Sequence, residues 1–355
     1  MKRKKMTITF IILLFIILIV GVSLFRVLTG FNPRPKEALN VIISNNEEKK
    51  ELQSGQELSI ITWNIGYAGL GEESDFKVDG GENLFPESKK IVRKNLDGII
   101  SFLEDNPGDI YLLQELAFDS KLTRFINVLK EIKTSLVNYC SVFTPTVSYK
   151  NIPFLGNLVV GKGTYSIYKP KKAVRVCLPS ENKKWLGFLK QHYNYVETRF
   201  PIAGSSREWV IVNVHLAAFD DGSARTTQSN ALKEYMVKEN KKGNFVIVGG
   251  DWNQRLTETD FPYTSDEKYL FWIRDMPENF APDGWQWYVD KKHPTCRTLE
   301  KPYIKNENYT CIIDGFIVSP NVDVLEIKGF DLGFKYSDHQ PVFIKVKAKN
   351  NGSQK

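Results

Sequence analysis

Histidine is scarce in this chain, with four among 355 residues. Cysteine is as rare: Cys140, Cys177, Cys296 and Cys311, and no two stand in a Cys-x-x-Cys spacing. That absence argues against a structural zinc site, which draws on closely spaced ligand pairs. Outside the cytoplasm four cysteines could pair in three ways, and buried free thiols are the alternative. No internal repeat is present, so a repeat architecture is excluded. A large basic surplus is also missing from most of the chain. The formal net charge is +7, but nine basic residues stand against five acidic ones up to Glu57, leaving only +3 beyond it. A nucleic-acid-binding domain usually shows a stronger footprint, with a pI above roughly 9 and Lys/Arg clustered on one face.

What is present begins at the N-terminus. Lys2-Arg3-Lys4-Lys5 precedes an uncharged stretch from Met6 to Phe25. A bilayer core about 30 Å thick needs roughly 20 such residues as a helix. Basic residues on the short leading side keep that end in the cytoplasm. The apolar run is longer than a signal-peptide core of about 7–15 residues, and no small-x-small cleavage site follows it. It reads as an uncleaved anchor, residues 1–28, with no cysteine after it to take a lipid. Residues 29–57 are polar, carry Pro33 and Pro35, and read as a flexible tether. Residues 348–355 read as a polar tail.

Between them, residues 58–347 are densely patterned and contain no linker. They read as one domain. Strands are expected at 58–63, 109–113, 209–214, 245–248, 312–318 and 341–346, with extended segments at 139–149 and 164–176. Apolar residues at helical spacing predict helices over 88–103, 121–136 and 227–242. Strands outnumber helices without strict alternation, which favours two packed sheets with helices outside them.

Polar residues gather where these strands end. The breaks read Trp63-Asn64, Gln114-Glu115, Asn213-Val214-His215, Gly249-Gly250-Asp251-Trp252-Asn253, Asp314 and Asp338-His339. Each alone is an ordinary turn or a solvated acid. Asp314 differs, because a carboxylate among apolar neighbours needs a partner. Two of the four histidines, His215 and His339, fall at these ends. His192 and His293 read as surface residues. Oxygen donors such as Asn64 and Glu115 suit Mg²⁺. Asp251 could orient and deprotonate a water, while His339, His215 and Asn253 stabilise charge on a phosphoryl group. The set is coherent for phosphoester hydrolysis.

With these motifs in this order, the chain resembles the endonuclease/exonuclease/phosphatase superfamily, which includes DNase I-like nucleases, neutral sphingomyelinases and inositol polyphosphate phosphatases. The resemblance runs from about Leu58 to Val346. It rests on T-W-N at 62–64, L-Q-E at 113–115, N-V-H-L at 213–216, G-D-W-N at 250–253, I-D-G-F-I-V-S at 313–319 and S-D-H-Q-P-V at 337–342. It implies an α+β, four-layer α/β/β/α sandwich behind the transmembrane helix. It implies Asn64, Glu115 and Asp338 on the metal side, Mg²⁺ or alternatively Mn²⁺. His215, Asp251, Asn253, Asp314 and His339 would be catalytic, with Asp314 supporting His339. Thr295 and Arg297, from the weaker match P-T-C-R, would bind substrate. His215 stands where abasic-site repair nucleases carry Tyr, so the match leans to the other branches. Ile167 replaces a basic residue that many members carry after the Ser of the Gly-x-x-x-x-Ser segment.

These readings imply a metal-dependent hydrolase of phosphoesters, most simply phosphodiesters, held by one membrane helix with its domain outside the cytoplasm. The substrate is left open among phospholipid headgroups, small phosphoesters and nucleic acid, which the charge does not favour. The alternative is a binding module that kept the fold and lost the chemistry. Two further segments stand outside the motifs. Residues 75–82 read as a surface turn. The aromatic residues Phe271, Trp272, Phe280 and Trp285 read as core rather than as a substrate-facing patch.

Overall fold

The computed structural model describes residues 2–28, 30–43, 51–179, 184–185, 189–218 and 221–349. Its centre is a pair of seven-stranded mixed sheets. In the first, the strands run in spatial order Lys36–Ala38, Lys172–Cys177, Asn194–Pro201, Glu208–His215, Phe245–Asp251, Asp314–Val318 and Gln286–Tyr288. In the second the order is Val322–Gly329, Val342–Ala348, Glu57–Asn64, Ile110–Ala117, Gly156–Ser166, Cys140–Ile152 and Ile42–Ile43.

Side chains alternate across each strand, and this builds the layers. Leu58 and Ile60 face the other sheet, in a cluster with Leu112, Ile211, Ile247, Phe316 and Ile344. Their neighbours Ile61 and Trp63 face outward, against Leu96 and Ile99 of the Lys89–Asp105 helix and Ile132 of the Val128–Ser135 helix. On the first sheet, Val210 and Val212 face outward against Leu232 and Met236 of the Ser223–Lys241 helix. The result is helix, sheet, sheet, helix, the expected four-layer sandwich.

Each sheet contains one parallel pair at its centre: Glu57–Asn64 beside Ile110–Ala117, and Glu208–His215 beside Phe245–Asp251. The pairs are joined by the helices Lys89–Asp105 and Ser223–Lys241. Parallel strands joined by a crossover helix bring their carboxyl ends to one edge, where open α/β sheets place their ligands. Asn64, Glu115, His215 and Asp251 stand at or near those ends.

Several expectations are corrected. The helix expected over 121–136 is broken into a single 3-10 turn, Lys121–Thr123, and a helix restarting at Val128. Arg124 and Phe125 between them are left-handed. Local capping wins over periodicity there: Asn127 Oδ1 accepts the Lys130 N–H at 3.0 Å, and Ser120 and Thr123 form a capping box. The extended segment over 164–176 is the end of one strand and most of another, divided at Tyr168-Lys169-Pro170-Lys171. The segment read as a tether carries two edge strands, Lys36–Ala38 on the first sheet and Ile42–Ile43 on the second. Residues 44–50 of it, and 350–355 of the tail, lie outside the described residues.

Lys2–Leu28 is one helix, and its Met6–Phe25 part has a mean hydropathy of 3.2 with none of it buried in the protein. It is long and apolar enough to cross a membrane. None of the four cysteines is in a disulfide, and Cys296 and Cys311 face each other in register on a two-stranded ribbon.

Candidate active site

The candidate residues converge on a cavity of about 340 Å³ at the shared edge of the two sheets. Asn64, Glu115, His215, Asp251, Asp338 and His339 all line it, with Asn253 beside them. Register explains the convergence. His215 pairs with Asp251 across the parallel strands, and Asp251 pairs with Asp314 across the antiparallel ones. Three chemically active side chains are therefore neighbours in one row of one sheet. The second sheet brings Asn64 to the same place, its Nδ2 3.0 Å from Asp251 Oδ2 and 3.3 Å from Glu115 Oε1.

Glycine makes the close approach feasible. Gly250 has φ 145°, and a Cβ there would lie 2.1 Å from the Val214 carbonyl oxygen. Only a residue without a side chain lets the Asp251 strand lie this close to the His215 strand. After Asp251 the chain turns back at once. The Asn253 N–H donates to Asp251 Oδ1 at 2.8 Å, and Asn253 Nδ2 donates to the Leu216 carbonyl at 3.0 Å. Asn253 itself is left-handed, with φ 50°. Glu115 is also left-handed, with φ 57°, at a bulge where the ladder to Gly156–Ser166 slips between Leu113 and Leu116. Bulges re-aim side chains, and this one turns Glu115 into the cavity.

His339 is held through Nδ1. Its Nδ1 lies 2.8 Å from Asp314 Oδ2, and its Nε2 lies 3.8 Å from Asp251 Oδ2. Burial disfavours the imidazolium, but Asp314, Cys296 and Asp251 more than reverse this and raise its pKa well above the usual value. His215 behaves oppositely. Burial holds it down to about 4, although its Nε2 is 3.4 Å from Asp251 Oδ2. One histidine is a cation at neutral pH and the other is neutral, because only His339 has a carboxylate of its own at hydrogen-bond distance.

Glu115 and Asp338 are both pushed up, first by burial; Glu115 reaches about 8, with Asp338 the next cause. Two carboxyls on the cavity wall, with the Asp338 charge adding to the rise at Glu115, supply oxygen ligands of the kind a hard divalent cation takes. Asn64 contributes differently from expectation. Its Oδ1 accepts the Gly66 N–H at 3.0 Å, and it turns its Nδ2 to the acids. Asp251, Asp314 and His339 also place one potential ligand atom each within 4.8 Å of one another. There, however, Asp314 and His339 already bond each other.

Of the two residues expected to bind substrate, Arg297 lines the cavity but is tied to backbone, and Thr295 lies outside the lining. Thr295 Oγ1 accepts the N–H groups of Ile313 and Asp314, each at 3.0 Å, and so fixes the strand that carries Asp314. Arg297 is buried, and its Nη groups donate to the carbonyls of Gly71, Ser74, Thr298 and Lys301. Those bonds commit the guanidinium ends to backbone. Ile167 packs against the inter-sheet core, away from the cavity.

The segment read as a surface turn, residues 75–82, instead forms part of the wall. Phe76, Val78 and Asp79 line the cavity, and Asp79 Oδ2 accepts the Leu299 N–H at 2.7 Å. Trp272, Phe280 and Trp285 are buried, as core reading requires; Trp272 also reaches the cavity, while Phe271 is half exposed.

Three supporting groups were given no role from the sequence. Gln114 Nε2 donates to Asn213 Oδ1 at 2.8 Å, and Asn213 Nδ2 donates to the Gly163 carbonyl at 2.9 Å, so two buried amides clamp the sheets together behind the site. Arg225 is buried and donates to the carbonyls of Asn253 and Trp272, both at 2.8 Å. Lys162 is buried, donates to the Asn194 carbonyl at 2.8 Å and is held down to about 7 by burial. The available signal was the rule that a polar residue inside an apolar strand must be partnered.

No protein-family model matches the chain, and no curated protein matches it in sequence. Solved structures do. An endonuclease/exonuclease/phosphatase from Beutenbergia cavernae DSM 12333 superposes with a TM-score of 0.53 at 17% identity, covering 83% of this chain and 72% of that one. The chain has the endonuclease/exonuclease/phosphatase fold. Danio rerio TDP2, solved with a single-strand DNA product, has a TM-score of 0.52 at 16% identity, over 82% of this chain and 99% of its own. The human Nocturnin catalytic domain, solved with a sulfate anion, has a TM-score of 0.52 at 14% identity, over 85% and 97%. At such identities the likeness establishes the fold, and the chemistry rests on the geometry above.

Proposed function

We propose that this chain is a Mg²⁺-dependent phosphodiesterase, with Mn²⁺ as an alternative ion, displayed outside the cytoplasm on a single membrane helix. The observation that carries this is the row His215–Asp251–Asp314–His339: one neutral and one cationic histidine flank a buried aspartate at the carboxyl ends of parallel strands. Fold-mates with nuclease and phosphatase names are consistent with it.

Glu115 and Asp338 would hold the ion, with Asn64 beside them; when bound it would polarise a phosphoryl oxygen and take up charge on the leaving oxygen. Asp251 orients the attacking water and accepts its proton. One of its oxygens is fixed by the Asn253 N–H, and the other, which accepts Asn64 Nδ2 at 3.0 Å, faces both histidines. His339 donates through Nε2 to a phosphoryl oxygen, and Asp314 keeps it protonated and aimed. His215, neutral, bonds the same group from the other side. Thr295 and Arg297 position the strands beneath it.

The test is a metal-supplemented screen of the purified full chain against soluble diesters, monoesters, nucleic acid and lipid phosphoesters. Hydrolysis that is lost in Glu115→Gln and His339→Ala supports the reading. No hydrolysis of any phosphoester, or activity unchanged in both variants, sinks it and leaves a binding module. Topology is tested separately, since protection of the domain from protease added to intact cells would place it inside.

A further inference from the structure

Phe76, Val78 and Asp79 of the segment D-F-K-V-D-G-G-E, residues 75–82, wall the cavity, yet no step of hydrolysis uses them. The segment is a closed loop fastened to its neighbour. Asp75 Oδ2 accepts the Glu82 N–H at 2.6 Å and ties the ends together. The Phe76 N–H donates to the Leu299 carbonyl at 2.8 Å, and the Leu299 N–H donates back to Asp79 Oδ2 at 2.7 Å. Gly80 has φ 102°, a backbone region open to glycine. At Gly81 a Cβ would lie 2.7 Å from the Phe76 nitrogen and 2.8 Å from the Leu299 carbonyl oxygen. Both positions call for glycine, so the run D-G-G is what sets Asp79 in the wall.

Asp79 is 3% exposed, and its second oxygen, Oδ1, is buried with no partner among the described residues. A stranded buried oxygen is costly. Fixing the loop does not require it, because the Leu299 bond uses only Oδ2. A ligand would satisfy it. Burial, ahead of every neighbouring charge, raises this carboxyl well above its usual range. With Oδ2 taken by an N–H donor, the proton belongs on Oδ1, which makes that atom a hydrogen-bond donor. Its surroundings suit an uncharged partner. Leu70, Phe76 and Leu299 pack together in the same wall, with Val78 against them. Tyr67 joins that cluster, and its Oη is a second buried atom with no partner among the described residues. Tyr67 is held at φ 42° between Gly66 and Ala68, which are also left-handed. Such strain persists where it serves a ligand site. The Asp338 charge acts on both Tyr67 and Asp79, so both stand on the metal side of the cavity.

We propose that Asp79 is a specificity-determining residue whose Oδ1 donates to a hydroxyl on the alcohol half of a hydroxyalkyl phosphodiester. This deepens the phosphodiesterase reading and rests on it. A plain alkyl group would leave Oδ1 stranded in the complex, and an ammonium would bring only donors to an atom that already donates.

The experiment uses the full chain with Mg²⁺. Three diesters share a 4-nitrophenyl leaving group and differ in the other alcohol, which is 2,3-dihydroxypropyl, propyl or 2-ammonioethyl. Their kcat/KM values are measured beside that of bis(4-nitrophenyl) phosphate. Binding of glycerol 3-phosphate and of propyl phosphate is followed by calorimetry in the same buffer. We expect the dihydroxypropyl ester to be preferred over the propyl ester by at least about tenfold, as a site built for a hydroxyl rejects the analogue lacking it. In Asp79→Leu that preference should fall to within about twofold, since the donor is gone. Asp79→Asn keeps an acceptor for Leu299 and an N–H donor in place of Oδ1, so the preference should survive to within about threefold. A ratio between two substrates is a readout that a merely structural role would not move. If Asp79→Leu does not fold, the wild-type ratio and Asp79→Asn still decide. Equal turnover of the dihydroxypropyl and propyl esters overturns the subsite while leaving the phosphodiesterase reading intact. A preference undiminished in Asp79→Leu overturns the assignment to Asp79. Preference for the ammonioethyl ester, abolished in Asp79→Asn, makes the group a carboxylate for a cation and overturns the hydroxyl. Silence on all four diesters removes the phosphodiesterase reading, and the subsite then stands or falls on whether calorimetry favours glycerol 3-phosphate over propyl phosphate.

Discussion

Nδ1 of His339 lies 2.8 Å from Asp314 Oδ2, while the other oxygen of that carboxylate is buried with no partner among the described residues. The pair is a charged hydrogen bond deep in the protein, at the shared edge of the two sheets. It makes His339 a fixed cation facing the cavity.

A pH profile should report this pair. Because the folded pKa of His339 is raised, its proton is present through neutrality and is lost only as pH rises through that folded value. Activity should hold through neutral pH and fall on the basic side. Asp314→Asn removes the first of the charges that raise His339, so the basic limb should move to lower pH. With it kcat should drop by about 10²–10³-fold, the usual effect of losing a stabilising donor. A profile whose basic limb does not move refutes the assignment.

Metal binding should be coupled to a proton. Glu115 is protonated below about 8. An ion that needs it ionised must displace that proton, so apparent affinity should rise about tenfold per pH unit up to that value and level off above it. Titration calorimetry in two buffers of different ionisation enthalpy will show the release. Glu115→Gln should bind more weakly and without it.

Arg297 should matter to stability more than to substrate. Its terminal nitrogens serve four backbone carbonyls. Arg297→Met leaves them buried and unpaired, at a cost of about 3 kcal/mol. Denaturant melts should show that loss, while KM in the surviving folded protein stays within about twofold, which is within the range of surface effects. A raised KM at unchanged stability would restore the role expected from the motif.

The amide clamp should be non-additive. Gln114→Leu or Asn213→Leu alone strands a buried amide and should destabilise by about 1–3 kcal/mol. Together they remove both needs, so the double variant should lose less than the two singles combined. A double-mutant cycle measures the difference directly.

Gly250→Ala should be among the most damaging small changes. It adds one methyl group against the Val214 carbonyl, at a φ that L-residues rarely adopt. The strain is on the order of 3 kcal/mol, and it moves Asp251 as well. Chemical denaturation and turnover should therefore fall together.

Much of the site was legible before any coordinates. Asn64, Glu115, His215, Asp251, Asn253, Asp314, Asp338 and His339 stand out in sequence because a strand is a short apolar run and a polar residue ending it is conspicuous. Local order also survives folding, so the Lys89–Asp105 and Ser223–Lys241 helices follow from their spacing. The break at Arg124-Phe125 did not, since periodicity there continues while capping and tertiary contacts stop the helix. Partner identity came from the family resemblance and not from the residues themselves: Asp338 is next to His339 in the chain, yet Asp314, twenty-five residues away, is its carboxylate, as the resemblance implies.

By itself the sequence determined the apolar helix, the alternating strands, the two-sheet class and the inventory of acids, amides and histidines, because each is a property of neighbours along the chain. Tertiary structure alone decided that His215, Asp251 and Asp314 share one row, that Arg297 serves backbone and that residues 75–82 wall the cavity. Those are long-range contacts, set by strand register and packing, and no local pattern of residues encodes which distant groups will meet.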